Sequence, residues 1–422
     1  MGEEGEKVQI VHGDSLEVLR GVETDSVDVM VTDPPYGISF MGRDWDKVLV
    51  SVEHWRECLR VLKPGAFAFV MSSPRQDVLS RMIVRMGEAG FETGFTSIYW
   101  TYATGFPKAG NLSKMADKRQ GAERQGAERQ GAGSKGNTFP LNPVYMDGDP
   151  VTVDAKSLQG AYAGFQPKPA LEVVIVAMKP LSEATYLRQA LANGKGCSWL
   201  DEGRIPLNTY THDAPMLRST GRFPANLLVE DDVLDDGVER LSSWGHHLKD
   251  HGGTVFDSGL GGKGSTCEPY LGDRVSFSRY FRLDAWWDRL IDELPESVRR
   301  TFPFLICPKA GKGEKNEGCG AVETDRLVNR DDPALTWSEN RKPRNNHPTV
   351  KPLKLMSWLV TIGSRPGDLV LDPFLGSGTT AVAARMLGRR CLGIEREEEY
   401  VRLARARVEA VSQVVLPMEK EG

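Results

Sequence analysis

The chain has 422 residues, 40% hydrophobic and 26% charged, with a net charge of −5, which allows two or three domains with a sizeable core. No run of 18 apolar residues occurs, so no membrane-spanning helix is expected, and the acidic, polar segment 1–7 does not read as a signal segment. Six scattered cysteines without a Cys-x-x-Cys spacing suit reduced thiols better than disulfides or structural zinc.

In chain order, residues 8–12 read as a strand, 15–20 as a helix, and 27–31 as a buried strand. Residues 52–62 form the next helix, 66–71 a strand, 76–87 a helix, and 96–102 an aromatic, β-branched strand. This alternation is the rhythm of a doubly wound α/β sheet. It breaks after residue 104, where an imperfect Arg-Gln-Gly-Ala-Glu repeat runs from Arg119 to Ala132. Residues 171–178, Leu-Glu-Val-Val-Ile-Val-Ala-Met, return to strand character and are expected to pair with 96–102 as an antiparallel edge hairpin. From 181 to 346 no such rhythm is visible, and Gly, Asp, Pro and aromatic residues, Trp286 and Trp287 among them, accumulate. His247 and His251 sit four apart with Cys267 beyond, but that stretch reads as a solvated polar loop, and no metal is expected. Strand 369–371, a glycine turn, helix 379–387 and strand 390–394 close the fold.

Two motifs carry chemistry. Asp33-Pro34-Pro35-Tyr36 follows the buried strand 27–31. The prolines end the strand, fix the backbone, and leave carbonyls without adjacent amide hydrogens. A carboxylate, an exposed carbonyl and an aromatic ring then stand at a strand's carboxyl end, where open α/β sheets bind ligands. The set suits a planar ring bearing an NH2 group: Asp33 and the Pro34 carbonyl accept its two hydrogens, and Tyr36 stacks on the ring. The second motif is Asp372-Pro373-Phe374-Leu375-Gly376-Ser377-Gly378-Thr379. A glycine turn between strand and helix admits a ligand close to the backbone, and Glu395, at the tip of the next strand, is placed to accept hydrogen bonds from two ribose hydroxyls.

Together these motifs resemble the S-adenosylmethionine-dependent DNA amino-methyltransferases. The catalytic motif comes first and the cofactor motif last, the permuted order of that family's beta class, as in bacterial or phage enzymes. Val11-His12-Gly13-Asp14-Ser15 resembles the segment whose Asp meets the cofactor's adenine. His347-Pro348-Thr349-Val350-Lys351-Pro352 resembles the segment that holds its methionine part. Segments 61–66, 104–108 and 221–226 are also similar to the family. The resemblance implies a Rossmann-like methyltransferase sheet with an inserted target-recognition region. It divides the chain into a catalytic part at 1–104, a basic insertion at 105–170, a sheet strand at 171–180, target recognition at 181–346, and a cofactor-binding part at 347–422. It implies catalysis at Asp33, Pro34, Pro35 and Tyr36. S-adenosylmethionine would lie against Asp14, Thr349, Lys351, Asp372, Pro373, Phe374, Gly376, Gly378, Thr379 and Glu395, with no metal required.

The partner implied is double-stranded DNA, with a homodimer and a cognate restriction endonuclease left open, in the cytoplasm of a bacterial or phage-infected cell. Charge is segregated accordingly. Residues 108–135 carry seven basic side chains against three acids, and 339–354 five against one, while acids gather at 230–239. Arg43, Lys108, Lys114, Lys118 and Arg344 are the expected DNA contacts. Asp at the first motif position favours adenine N6 as the target over cytosine N4; an RNA methyltransferase and an inactive DNA-binding relative are further alternatives.

Overall fold

The computed structural model describes residues 8–38, 46–102, 109–124, 129–130, 144–145, 148–165, 167, 170–205, 223–229, 240–241, 274–275, 281–294, 312–319, 345, 347 and 349–411. The chain forms two compact units, Met1–Ala103 with Leu171–Gly422, and Thr104–Ala170.

The larger unit is built on an eight-stranded sheet. Its strands are β1 (Val8–His12), β2 (Val29–Thr32), β3 (Phe67–Ser72), β4 (Ile98–Thr101), β5 (Leu171–Met178), β6 (Leu227–Val229), β7 (Leu369–Asp372) and β8 (Arg390–Glu395). They lie in the order β1-β8-β7-β2-β3-β5-β4-β6. The first five of that order run parallel; β5 is antiparallel to both β3 and β4, and β6 is parallel to β4. Every residue of β2 is buried, as a central parallel strand covered on both faces requires. One face carries α1 (Ser15–Arg20), α2 (Val52–Val61) and α3 (Gln76–Ala89), whose Leu19, Trp55 and Met82 join one core cluster.

The larger cluster, on the other face, receives α7 (Leu283–Glu293), α9 (Leu353–Gly363) and α10 (Thr379–Met386). Helix α9 is buried along its whole length. Its one charged residue, Lys354, pairs with Asp284 of α7, which makes the burial of an ammonium tolerable. Helices α6 (Tyr186–Asn193), α8 (Lys312–Asn316) and α11 (Glu398–Glu409) complete this unit, along with the two-residue pair Arg240–Leu241 and Arg274–Val275.

The smaller unit holds α4 (Leu112–Arg119), α5 (Val153–Ser157) and the antiparallel pair Arg129–Gln130 with Val144–Tyr145. Buried Asp117 organises it, accepting hydrogen bonds from Thr152 N (2.9 Å), Thr152 Oγ1 (2.8 Å) and Arg124 Nε (2.7 Å). No helix among the described residues is long and apolar enough to cross a membrane.

The structure departs from the sequence expectations in two places. The β4–β5 antiparallel pair forms, but β6 extends the sheet beyond β4, so β6 holds the edge. Three residues are too few for a period-2 signal. The strand expected at 27–31 starts at Val29, because Val27 bridges Leu62 instead of joining the central ladder. The stretch 181–346, expected as target recognition, contributes β6, α6, α7 and α8 to the larger unit, and Trp286 and Trp287 are each 1% exposed within its core. Of the candidate metal ligands, His247, His251 and Cys267 lie outside the described residues.

Candidate functional site

Strands β2 and β7 are neighbours, yet the chain leaves them in opposite directions: β2 leads to β3 on one side, β7 to β8 on the other. Such a switch point opens a crevice at the carboxyl ends of the strands. Here it is a cavity of about 350 Å³, within the usual span of small-molecule sites. The two strand ends are tied together across it, Thr32 Oγ1 donating to Asp372 Oδ1 at 2.7 Å. The buried Asp372 carboxyl is pushed up to about 6 by desolvation, against hydrogen bonds from Thr32, Thr380 and Phe374 that lower it.

The wall beyond β7 is the glycine turn. Gly376 and Gly378 have φ of +55° and +87°, conformations that side chains rarely adopt. Space forbids side chains too: a Cβ on Gly376 would lie 2.8 Å from His347 Nε2, and one on Gly378 2.8 Å from Ala404 Cβ. Buried Arg407 holds the turn from behind, donating to Ser377 O at 2.7 Å and to Thr379 Oγ1 at 3.1 Å. Glu395, at the end of β8, accepts from Gly376 N and Glu397 N, each at 2.8 Å, one on each oxygen. The Arg396 amide also acts on this carboxylate, whose oxygens each have a second lone pair. Burial raises its pKa, with those amide hydrogens pulling the other way.

The wall beyond β2 carries charge. Asp33 Oδ2 lies 2.7 Å from Lys351 Nζ, and Asp33 Oδ1 accepts from the Tyr36 hydroxyl at 2.6 Å. Lys351 Nζ is also 3.1 Å from Glu172 Oε2 on β5. Desolvation raises the Asp33 pKa, Lys351 opposes that shift, and Glu172 adds to it. For Lys351 desolvation acts downward, but Asp33 and Glu172 outweigh it and the ammonium is held charged above its ordinary range. Asp46 shapes the loop, accepting from Tyr36 N at 2.6 Å and Gly37 N at 3.0 Å.

Asp14, Asp33, Pro35, Thr349, Lys351, Asp372, Pro373, Phe374, Gly376, Thr379 and Glu395 all face this one cavity. Pro34, Tyr36 and Gly378 are outside its lining: Tyr36 backs Asp33 through its hydroxyl, and Gly378 starts α10. Asp14 also caps α1, accepting from Leu16 N at 2.9 Å. Lys351, expected at the amino-acid end of the cofactor, lines the cavity and has its ammonium on Asp33 and Glu172. Lys114 and Lys118 lie on α4 in the smaller unit, while Arg43, Lys108 and Arg344 are outside the described residues.

Sequence reasoning missed Glu172, His54 and Tyr400. Glu172 had a signal, as the single acid in an otherwise apolar strand. His54 and Tyr400 line the cavity from α2 and α11 and had none, because each stands on a helix whose pattern reads as ordinary packing.

Residues 249–406 match the family described as DNA methylase, N6_N4_Mtase. This portion of the chain is similar to that family's members. The match covers the glycine turn and Glu395 and stops short of Asp33. Among curated relatives, the type II methyltransferase M2.DpnII of Streptococcus pneumoniae is 52% identical over 64 residues, 15% of this chain and 24% of the relative. The type II methyltransferase M.SmaI of Serratia marcescens is 36% identical over 136 residues, 31% of this chain and 46% of the relative. The chain thus spans less than half the length of either. Among solved structures, the putative DNA modification methylase TTHA0409 of Thermus thermophilus, complexed with S-adenosyl-L-methionine, aligns over 96% of this chain and 97% of its own at 17% identity and TM-score 0.37. The cytosine-N4-specific PvuII DNA methyltransferase aligns over 96% and 89% at 15% identity and TM-score 0.41.

The cofactor of this methylase family is S-adenosylmethionine. The cavity residues fit it: a carboxylate acceptor at the end of β8, Glu395, suits a ribose hydroxyl, and the side-chain-free face of Gly376 admits a ligand against the backbone.

Proposed function

We propose that the protein is a site-specific methyltransferase acting on the exocyclic amine of a base flipped out of double-stranded DNA, with adenine N6 the favoured target. The observation that carries this reading is the convergence of Asp33 and the Gly376 turn on one cavity at adjacent strand ends. The preference for adenine rests on Asp as the first residue of Asp-Pro-Pro-Tyr.

An exocyclic amine is a weak nucleophile because its lone pair is delocalised into the ring. When bound, S-adenosylmethionine supplies a methyl carbon on a sulfonium whose sulfur departs as a neutral thioether. The protein's task is alignment and stabilisation of the positive charge that grows on the amine. Asp33 Oδ and the Pro34 carbonyl hold the two amine hydrogens by hydrogen bonds, and once the methyl group is on the nitrogen one of those protons leaves to solvent. The Tyr36 hydroxyl fixes one carboxylate oxygen, and its ring stands beside the base. Glu395 orients the ribose hydroxyls, Asp14 accepts from the adenine amine, and Phe374 lines the path between them. A base inside the duplex cannot reach a site at the bottom of such a crevice, so flipping is required. Lys114 and Lys118 contact phosphates, as Arg43, Lys108 and Arg344 do in this reading.

The test is incorporation of tritiated methyl groups into DNA, followed by nucleoside analysis. N6-methyladenine is expected; N4-methylcytosine would transfer the target to cytosine, and label in RNA but not in DNA would overturn the substrate. Asp33→Ala should lower turnover by roughly 10²-fold or more, because the lost acceptor acts chiefly in the transition state. Its cofactor affinity should stay close to wild type. Near-normal methylation by that variant would reduce Asp33 to a structural role.

A further inference from the structure

We propose that Lys351 and Glu172 are positioning residues for Asp33: the Lys351 ammonium, anchored on Glu172, holds the Asp33 carboxylate charged and aimed into the cavity. The inference deepens the reading of Asp33 as the amine acceptor and rests on it.

Three parts of the chain distant in sequence meet here. Asp33 follows β2, Glu172 belongs to β5, and Lys351 precedes α9. Lys351 Nζ stands between the two carboxylates, 2.7 Å from Asp33 and 3.1 Å from Glu172. It is 9% exposed, so water does little to screen it. A buried ammonium held by two carboxylates is fixed in direction, and so is the carboxylate it holds. On its other oxygen Asp33 has the Tyr36 hydroxyl at 2.6 Å. Both oxygens are therefore pinned, and each retains a lone pair for an incoming amine hydrogen.

The need for this arrangement follows from burial. Without a neighbouring cation, a desolvated carboxylate takes up a proton, and its protonated oxygen no longer accepts. Asp33 also has a carboxylate neighbour pushing the same way, Glu172, while its own charge in turn raises Asp372 across the strand ends. Among the described residues, the hydroxyls of Tyr36 and Tyr102 also face the cluster, both held neutral, raised first by burial and then by Asp33 and Glu172 for Tyr36 and by Glu172 for Tyr102. Lys351 is thus the one cation acting on Asp33 among the described groups that shift it. Glu172 has a double effect: it anchors Lys351 and opposes it electrostatically.

Two neighbours of opposite sign give the test a signature that a packing role does not share. The Asp33 carboxyl, labelled with ¹³C and assigned by its loss in Asp33→Asn, is titrated in the cofactor-free protein. Alongside, the pH profile of turnover is measured with DNA and cofactor saturating, and cofactor affinity is measured by calorimetry. In Lys351→Met the Asp33 titration and the acid limb of turnover should both move to higher pH by a unit or more, on the order of a lost close ion pair. Turnover at neutral pH should fall about tenfold, with cofactor affinity within twofold of wild type. In Glu172→Gln both titrations should move to lower pH. Lys351→Arg should recover part of the loss.

Lys351→Met leaves two uncompensated, partly buried carboxylates and is at risk of not folding. The double variant Lys351→Met with Glu172→Gln keeps the net charge of the cluster, and Asp33 in it should titrate higher than in Glu172→Gln alone. Equal Asp33 titrations in those last two proteins would overturn the proposal, as would a Lys351→Met protein that loses cofactor affinity while its acid limb stays in place. Because the carboxyl titration needs no turnover, it holds or fails separately from DNA methylation itself.

Discussion

Glu395 lines the cavity and accepts amide hydrogens from Gly376 and Glu397, one on each oxygen. Glu395→Ala removes the ribose acceptors and also releases the turn amide they steady. Losing hydrogen bonds of this kind costs about 1–3 kcal/mol, so cofactor affinity should drop by roughly one to two orders of magnitude. Calorimetry on DNA-free protein checks this, and unchanged affinity would remove Glu395 from the cofactor site. Asp372 makes a different prediction. Its pKa is about 6 in the folded chain against 3.8 as an ordinary carboxyl, chiefly through desolvation. Between those values the native state binds the extra proton, so stability falls as pH rises from about 4 to about 6 and stays lower above. Asp372→Asn keeps an acceptor for Thr32 and Phe374 but does not titrate. The unfolding free energy of the variant minus that of wild type should climb across that window, by about 2–3 kcal/mol at most, and level off beyond it. Urea melts at stepped pH measure the difference; a flat difference rules out the raised pKa.

At the scale of elements, the turn from β7 into α10 depends on Gly378. Ala there must adopt φ near +87° and must displace Ala404 of α11, whose Cβ would be 2.8 Å away. Backbone strain of about 1–3 kcal/mol and a comparable overpacking term should therefore add, while the unfolding m-value stays constant. A Gly378→Ala protein as stable as wild type in urea would mean that α10 and α11 yield freely. Most elements of the larger unit were legible because their periods are strong. The strands at Val8–His12 and Leu171–Met178 carry the bounds read from sequence, and the helices at Gln76–Ala89 and Thr379–Met386 end within two residues of expectation. β6, with three residues, and α7, in a stretch without strand–helix rhythm, were illegible because their identity as core depends on what packs against them.

The whole molecule interleaves its two ends. β8 and β7 lie between β1 and β2, so neither end of the chain can complete the sheet without the other. The unit Thr104–Ala170, by contrast, leaves and re-enters at one place, since Thr101 of β4 pairs directly with Leu171 of β5. Replacing 104–169 by Asn-Gly leaves a five-residue connection between Thr101 and Leu171 and should preserve cooperative unfolding and cofactor affinity, because loops of that length close antiparallel pairs. DNA affinity should fall and lose part of its salt dependence if the basic residues of that unit, Lys114 and Lys118 included, neutralise phosphates. Titration at several salt concentrations decides it; an unaltered salt slope would move DNA contact elsewhere.

The sequence by itself determined the alternating rhythm, both chemical motifs and their permuted order. Those are local properties: period, turn chemistry and residue type act within a dozen residues. Tertiary structure decided which strands became neighbours, that β5 lies inside the sheet, and that Trp286 and Trp287 are core. It also decided the partner of Lys351. A lysine beside a cofactor motif reads as a ligand contact, and only the meeting of β2, β5 and the segment before α9 puts its charge between Asp33 and Glu172. The physical reason is that an ion pair depends on separation in space, and these three residues are brought within about 3 Å by sheet order, which no window of sequence contains.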